Sequence, residues 1–180
     1  MSANDNPSNQ EFRQVLARGE IPFGDCTLPV DVNRHTIIKA FAHHFTGKPE
    51  EWNVENNRWN RDKLLVDILW YPKQSVFLTF QDGVLSIIEF SGSGESDSNW
   101  DYSLEVRRYF HMKKGAIKHL GKENRSTESN DKNMEVVWEF PKLMFYIACD
   151  ARTGGCGIGL RIKLKDDCSS TIWRDNVDRR

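Results

Sequence analysis

Residues 62–73 read DKLLVDILWYPK, and residues 131–142 read DKNMEVVWEFPK. Asp62, Lys63, Pro72 and Lys73 recur sixty-nine positions later as Asp131, Lys132, Pro141 and Lys142, and aromatic Tyr71 recurs as Phe140. The same shift carries Phe41 onto Phe110. The matches cluster at a strand entry and an aromatic-Pro-Lys turn, where proline fixes φ and removes a backbone donor. Around each copy the periodicity reads helix, strand, strand, strand. This internal repeat predicts an α+β fold: an antiparallel sheet of about six strands from two α-β-β-β units, with two long helices packed on one face.

The first unit spans 33–90. Asn33 is placed to cap a helix whose stripe is Ile37, Ile38, Phe41 and Phe45, with Gly47 and Pro49 past its end. A polar loop over 50–61 leads to strands at 64–71, 76–80 and 84–90, and Asp82-Gly83 is the pair that closes a two-residue hairpin. The second unit spans 102–164. Its helix, 104–120, sets Val106, Phe110, Ile117 and Leu120 on the expected core side. After a polar stretch, Met134, Val136, Trp138 and Phe140 alternate with Glu135 and Glu139. Residues 143–149 form the middle strand, and Ile158, Leu160, Ile162 and Leu164 alternate with Arg161 and Lys163, so one face of this half meets water.

The rest of the single domain, 1–180, hangs on these units. Residues 1–10 form a flexible N-terminus, and the capping-box pattern Ser8 to Glu11 opens a short helix through Phe12, Val15 and Leu16 that Gly19 ends. Residues 21–30, with Pro22, Gly24 and Pro29, read as extended edge. The Gly/Ser/acidic stretch 91–101 is a connector, and 165–180 is a C-terminal tail.

Composition narrows the function classes. With 25 Lys and Arg against 26 Asp and Glu there is no global positive field to attract nucleic acid or an anionic membrane. No apolar run approaches the 18 or so residues of a membrane span, and the first ten residues lack the pattern of a secretion signal, so the expected location is cytoplasmic. Cys26, Cys149, Cys156 and Cys168 lack zinc-site spacing and read as reduced, buried thiols, although Cys149 and Cys156 flank a hairpin turn and can face one another.

No catalytic signature emerges. The glycines of 154–159 miss the phosphate-loop spacing and run into a strand, so they read as a hairpin with a close backbone approach. His35, His43, His44, His111 and His119 lack the i, i+4 spacing of helical metal ligands and read as structural or solvent-facing. His44-Phe45-Thr46 has the H-x-T form of two-histidine phosphoesterases without the second copy. Asp67, a carboxylate within an apolar strand, has no partner acid for general acid/base work. The expectation is therefore a non-enzymatic protein without cofactor or metal.

Two features favour recognition of a partner. Trp52, Arg58 and Trp59 sit in the polar stretch 50–61, and Trp and Arg dominate binding hot spots. Arg107, Arg108, Lys113, Lys114 and Lys118 concentrate positive charge on the second helix, with Lys122 and Arg125 at its exit. Together they predict a protein-binding protein, an inhibitor or toxin-neutralising immunity protein that occludes a toxin or effector. The alternative is a single-stranded nucleic-acid binder that stacks bases on aromatics and contacts phosphates with the cations. A secretion chaperone, or an enzyme without a recognisable motif, completes the field.

Overall fold

In a computed structural model the described residues are 9–46, 50–54, 57–90, 102–128, 133–150 and 155–163. The connector 91–101 and the tail 165–180 lie outside them, as do the Asp131-Lys132 pair and, within the tail, Cys168. Helix α1 (Asn9–Arg18) precedes the hairpin β1 (Glu20–Phe23) and β2 (Cys26–Pro29). Helix α2 (Arg34–Ala40) and a 3-10 turn (Ala42–His44) lead to β3 (Glu50–Val54), β4 (Asn57–Ile68), β5 (Tyr71–Gln81) and β6 (Val84–Phe90). Helix α3 (Tyr102–Leu120) is followed by β7 (Arg125–Glu128), β8 (Asn133–Glu139), β9 (Leu143–Asp150) and β10 (Gly155–Ile162).

All ten strands join one antiparallel sheet in the order β2-β1-β4-β5-β6-β10-β9-β8-β7, with β3 paired to β4 off this path. The six expected strands are its middle: meander β4-β5-β6 meets meander β10-β9-β8 through β6 and β10, with Phe90 opposite Ile158 and Ile87 opposite Arg161. Each meander follows a helix, α2 or α3, as the repeat implies. Four short strands enlarge the expected sheet, and α2, at seven residues, is not a long helix.

Both departures have a physical cause. Strand β4 runs to 12 residues, beginning well before the expected position 64, and a strand that long exposes an edge of unpaired amides and carbonyls. Three pieces cover that edge: β3 opposite Asn57 to Arg61, the Phe45–Leu64 bridge with Thr46 N donating to Lys63 O (2.8 Å), and Phe23 of β1 opposite Ile68. The polar 50–61 stretch is thus a hairpin and not a loop. Helix α2 starts where expected, with Asn33 Oδ1 accepting from Thr36 N at 2.9 Å. It stops at Ala40 because Phe41 leaves helical geometry (φ −120°) and sets its ring edge-on to Phe23 at 5.0 Å.

Helix α3 is rotated relative to the expected phase. Its buried positions are Glu105, Tyr109, Met112, Ala116 and Leu120, whereas Phe110 and Ile117 face solvent. Leu120 is the one expected core residue of that helix that is buried. The Asp82-Gly83 turn has positive φ at both residues (51° and 79°), the primed geometry that matches strand twist. The first aromatic-Pro-Lys triplet opens β5, one step after the Leu69-Trp70 turn, while the second, Phe140 to Lys142, is the β8–β9 turn itself.

The sheet's inner face and the helices share one core that includes Leu16, Ile37, Leu78, Tyr109 and Trp138. The outer face of the second half is not simply wet, because Val137, Met144, Tyr146 and Ala148 form a small buried cluster there. Gly159 lies directly opposite Tyr146, whose ring crosses it: a Cβ at 159 would fall 2.2 Å from Tyr146 Cζ. The glycine run is therefore a close-approach device. Gly159→Ala is expected to cost about 1–3 kcal/mol by displacing the ring. On a Tyr146→Ala background the same change should cost little or stabilise, and a urea double-mutant cycle reads the difference.

Cysteine pairing also departs from expectation. Cys149 and Cys156 are cross-strand neighbours joined by a disulfide, with Cα atoms 4.0 Å apart, and free Cys26 is exposed. The disulfide strand end supports α3: Cys156 N donates to Glu105 Oε2 at 3.0 Å, and Arg108 binds the other oxygen at 2.6 Å.

Candidate interaction surfaces

Along β4 the inward positions are Asn60, Asp62, Leu64, Val66 and Ile68, all buried, so the inner face turns from apolar to polar toward the β3–β4 hairpin. Asp62 keeps only 2% of its side chain exposed, and its charge is tolerable there because Arg34 meets it with two parallel bonds: Nε to Oδ2 at 2.7 Å and Nη2 to Oδ1 at 2.9 Å. Backbone bonds from Arg34 N to Gly83 O (2.9 Å) and Leu85 N to Val32 O (3.2 Å) fix the start of α2 against the β5–β6 turn. Between them opens a groove of about 860 Å³, lined by Asn33 to Thr36, Ile38, Asn60 and Asp82 to Val84. Ile38 and Val84, each 38% exposed, supply its apolar contacts, while Arg34, His35 and Asp82 supply polar ones.

The β3–β4 hairpin adjoins this groove through Asn60. In its register Trp52 stands opposite Trp59 and Asn53 opposite Arg58, so the three residues singled out there share one hairpin. The helical cations lie elsewhere. Helix α3 packs on β8, β9 and β10, and β4 to β9 is four strand steps, about 19 Å at the usual spacing. Hairpin and helix therefore lie apart on the sheet, as two separate surfaces.

The five helical cations also divide. Arg108 is held by Glu105, and Lys113 pairs with Glu123 at 3.3 Å and reaches Ser126 Oγ at 3.3 Å. The Glu123 carboxyl is held below its usual range, first by its own backbone N–H and then by Lys113 and Lys122. Arg107, Lys114 and Lys118 face outward with Phe110 and Ile117, an apolar pair that the sequence assigns to the core. A wrong helical phase concealed this surface, since large apolar side chains dominate any periodicity count.

Other chemistry-bearing residues serve the fold. His44 Nδ1 lies 3.2 Å from Leu65 O and Thr46 binds Lys63 O, so the H-x-T segment rides the edge of β4. Asp67 Oδ1 accepts from Lys73 N at 2.7 Å, which supports the β4–β5 turn. His119 stacks on Trp70 (centroids 4.5 Å apart), with Phe12 edge-on to both. Burial there, with Lys118 nearby, lowers the imidazole below its ordinary range, and burial pushes the Tyr71 hydroxyl up to about 12. Among the described residues no three His, Cys, Asp or Glu side chains gather as a metal site, and no helix is long and apolar enough to cross a membrane.

No family model and no curated protein matches the chain. Among solved structures it is similar to a DUF4309 family protein (YjgB) from Bacillus subtilis subsp. subtilis str. 168, at 16% identity and a TM-score of 0.49, covering 86% of this chain and 95% of that one. A likeness of that degree does not bear on what the chain does.

Proposed function

We propose that the protein works by holding another protein, as an inhibitor or toxin-neutralising immunity protein does, blocking its partner sterically and catalysing no reaction itself. The groove between α2 and the β5–β6 turn carries this reading. It falls within the size range of binding sites, and its walls combine apolar Ile38 and Val84 with polar Asn60 and Arg34, the latter held in place by buried Asp62. Trp52, Arg58 and Trp59, in the adjoining hairpin, are residue types that anchor interfaces. The cytoplasmic location expected from the sequence fits such a role less well than an oxidising compartment, because the Cys149–Cys156 bridge favours a partner met where disulfides persist.

The test is site-specific photo-crosslinking in the source cells, with a photoreactive residue at Ile38 or at Val84 and a control at Lys39. The expected result is one nuclease-insensitive protein adduct at both groove positions, absent at Lys39, whose purified target loses activity in stoichiometric complex with this chain. Adducts to nucleic acid, with binding that weakens steeply as salt rises, would instead establish the single-stranded nucleic-acid reading. A small-molecule turnover that stops when the groove is blocked would establish catalysis.

A further inference from the structure

The outer face of α3 presents Arg107, Phe110, His111, Lys114, Ile117 and Lys118 along its length, all exposed. Phe110 is 47% and Ile117 39% exposed, and they stand one heptad apart, about 10 Å along the axis. Of the two acids in 102–124, Glu105 is buried against Arg108 and Cys156 N, and Glu123 is engaged by Lys113. Folding thus leaves two large apolar side chains uncovered beside the exposed cations Lys114 and Lys118.

We propose that this face is a second docking surface, independent of the groove, for an acidic amphipathic helix of a partner protein. Such a helix carries apolar residues at i and i+7 to cover Phe110 and Ile117, and carboxylates beside them to meet Lys114 and Lys118. Charge complementarity selects this occupant. A second copy of the chain would set the same cations against each other across a two-fold axis. A nucleic-acid backbone offers nothing to cover Ile117, and two apolar side chains on a helix whose other face is core make a poor membrane anchor.

The experiment titrates the full ¹⁵N-labelled chain with a 21-residue helical peptide bearing Leu at heptad spacing flanked by Glu, and with its Lys-for-Glu counterpart. A single-stranded oligonucleotide and phosphatidylglycerol vesicles form parallel arms. The expected result is saturable shifts confined to residues 104–120 for the acidic peptide alone. These should weaken at least tenfold in Phe110→Ser/Ile117→Ser, and likewise in Lys114→Glu/Lys118→Glu, while Val84→Asp in the groove has no effect. Because these side chains are exposed, unchanged thermal unfolding of the variants separates lost binding from lost fold. Equal binding of both peptides, tighter binding of oligonucleotide or vesicle on this face, or no shifts there at saturating peptide would overturn the proposal. The groove's crosslinks are unaffected by any of these outcomes.

Discussion

Arg34→Met is expected to lower stability by about 3–5 kcal/mol, although Arg34 is partly exposed and lies on a short helix. The cause lies in the residue left behind. Asp62, with 2% of its side chain exposed, would keep its buried position and lose the guanidinium whose two bonds satisfy both its oxygens. Replacing both members, as Arg34→Met/Asp62→Leu, should restore most of the loss, because an apolar pair carries no desolvation penalty. Urea midpoints at constant slope measure both variants. A single variant that loses under 1 kcal/mol would mean that the carboxylate finds other solvation once the guanidinium is gone, and Arg34 would then be a replaceable wall of the groove.

Trp138→Ala is the second large effect, at about 3–5 kcal/mol. Trp138 is 1% exposed on β8, its ring meets Phe145 edge-on at 5.5 Å, and its Nε1 donates to Gly121 O at 2.8 Å. Gly121 has φ 75° and its N–H returns to Ile117 O, so it terminates α3 in the left-handed geometry that suits glycine. Arg13 donates to Leu120 O at the same helix end. The indole therefore fills the core and also satisfies a carbonyl left open at the helix terminus. Trp138→Phe, which keeps most of the volume and loses the donor, should cost only roughly 1 kcal/mol. Calorimetric unfolding of the two variants separates the contributions, and near-equal losses would assign the whole effect to the hydrogen bond.

The parts of this fold legible in the sequence are those set by local backbone chemistry. Asn33 caps α2, Gly19 ends α1, Asp82-Gly83 turns β5 into β6, and the repeated aromatic-Pro-Lys triplets mark the entry to β5 and β9. Features that depend on distant partners were not legible. Glu105 and Ala116 do not signal a core by residue type, yet they are buried, while Phe110 and Ile117 signal one and are exposed. The charge of Asp62 makes sense only beside Arg34, twenty-eight residues away. Strand β3 and the first part of β4 are polar, so no alternation announces them, and backbone pairing with each other and β5 makes them strands. Composition alone marks the hairpin and helix residues, and it says nothing about the two strands between β4 and β10 that hold them apart.

The junction of β6 with β10 sets the order in which this chain can assemble. Each meander is wired by short turns, so its contacts form between near neighbours in sequence. Phe90 and Ile158, by contrast, are 68 residues apart (158 − 90), and bringing them together costs on the order of 4 kcal/mol of chain entropy before any bond between them is made. The two halves are therefore what local contacts can build alone, and the seam between them is the slow, long-range closure that makes one molecule of them.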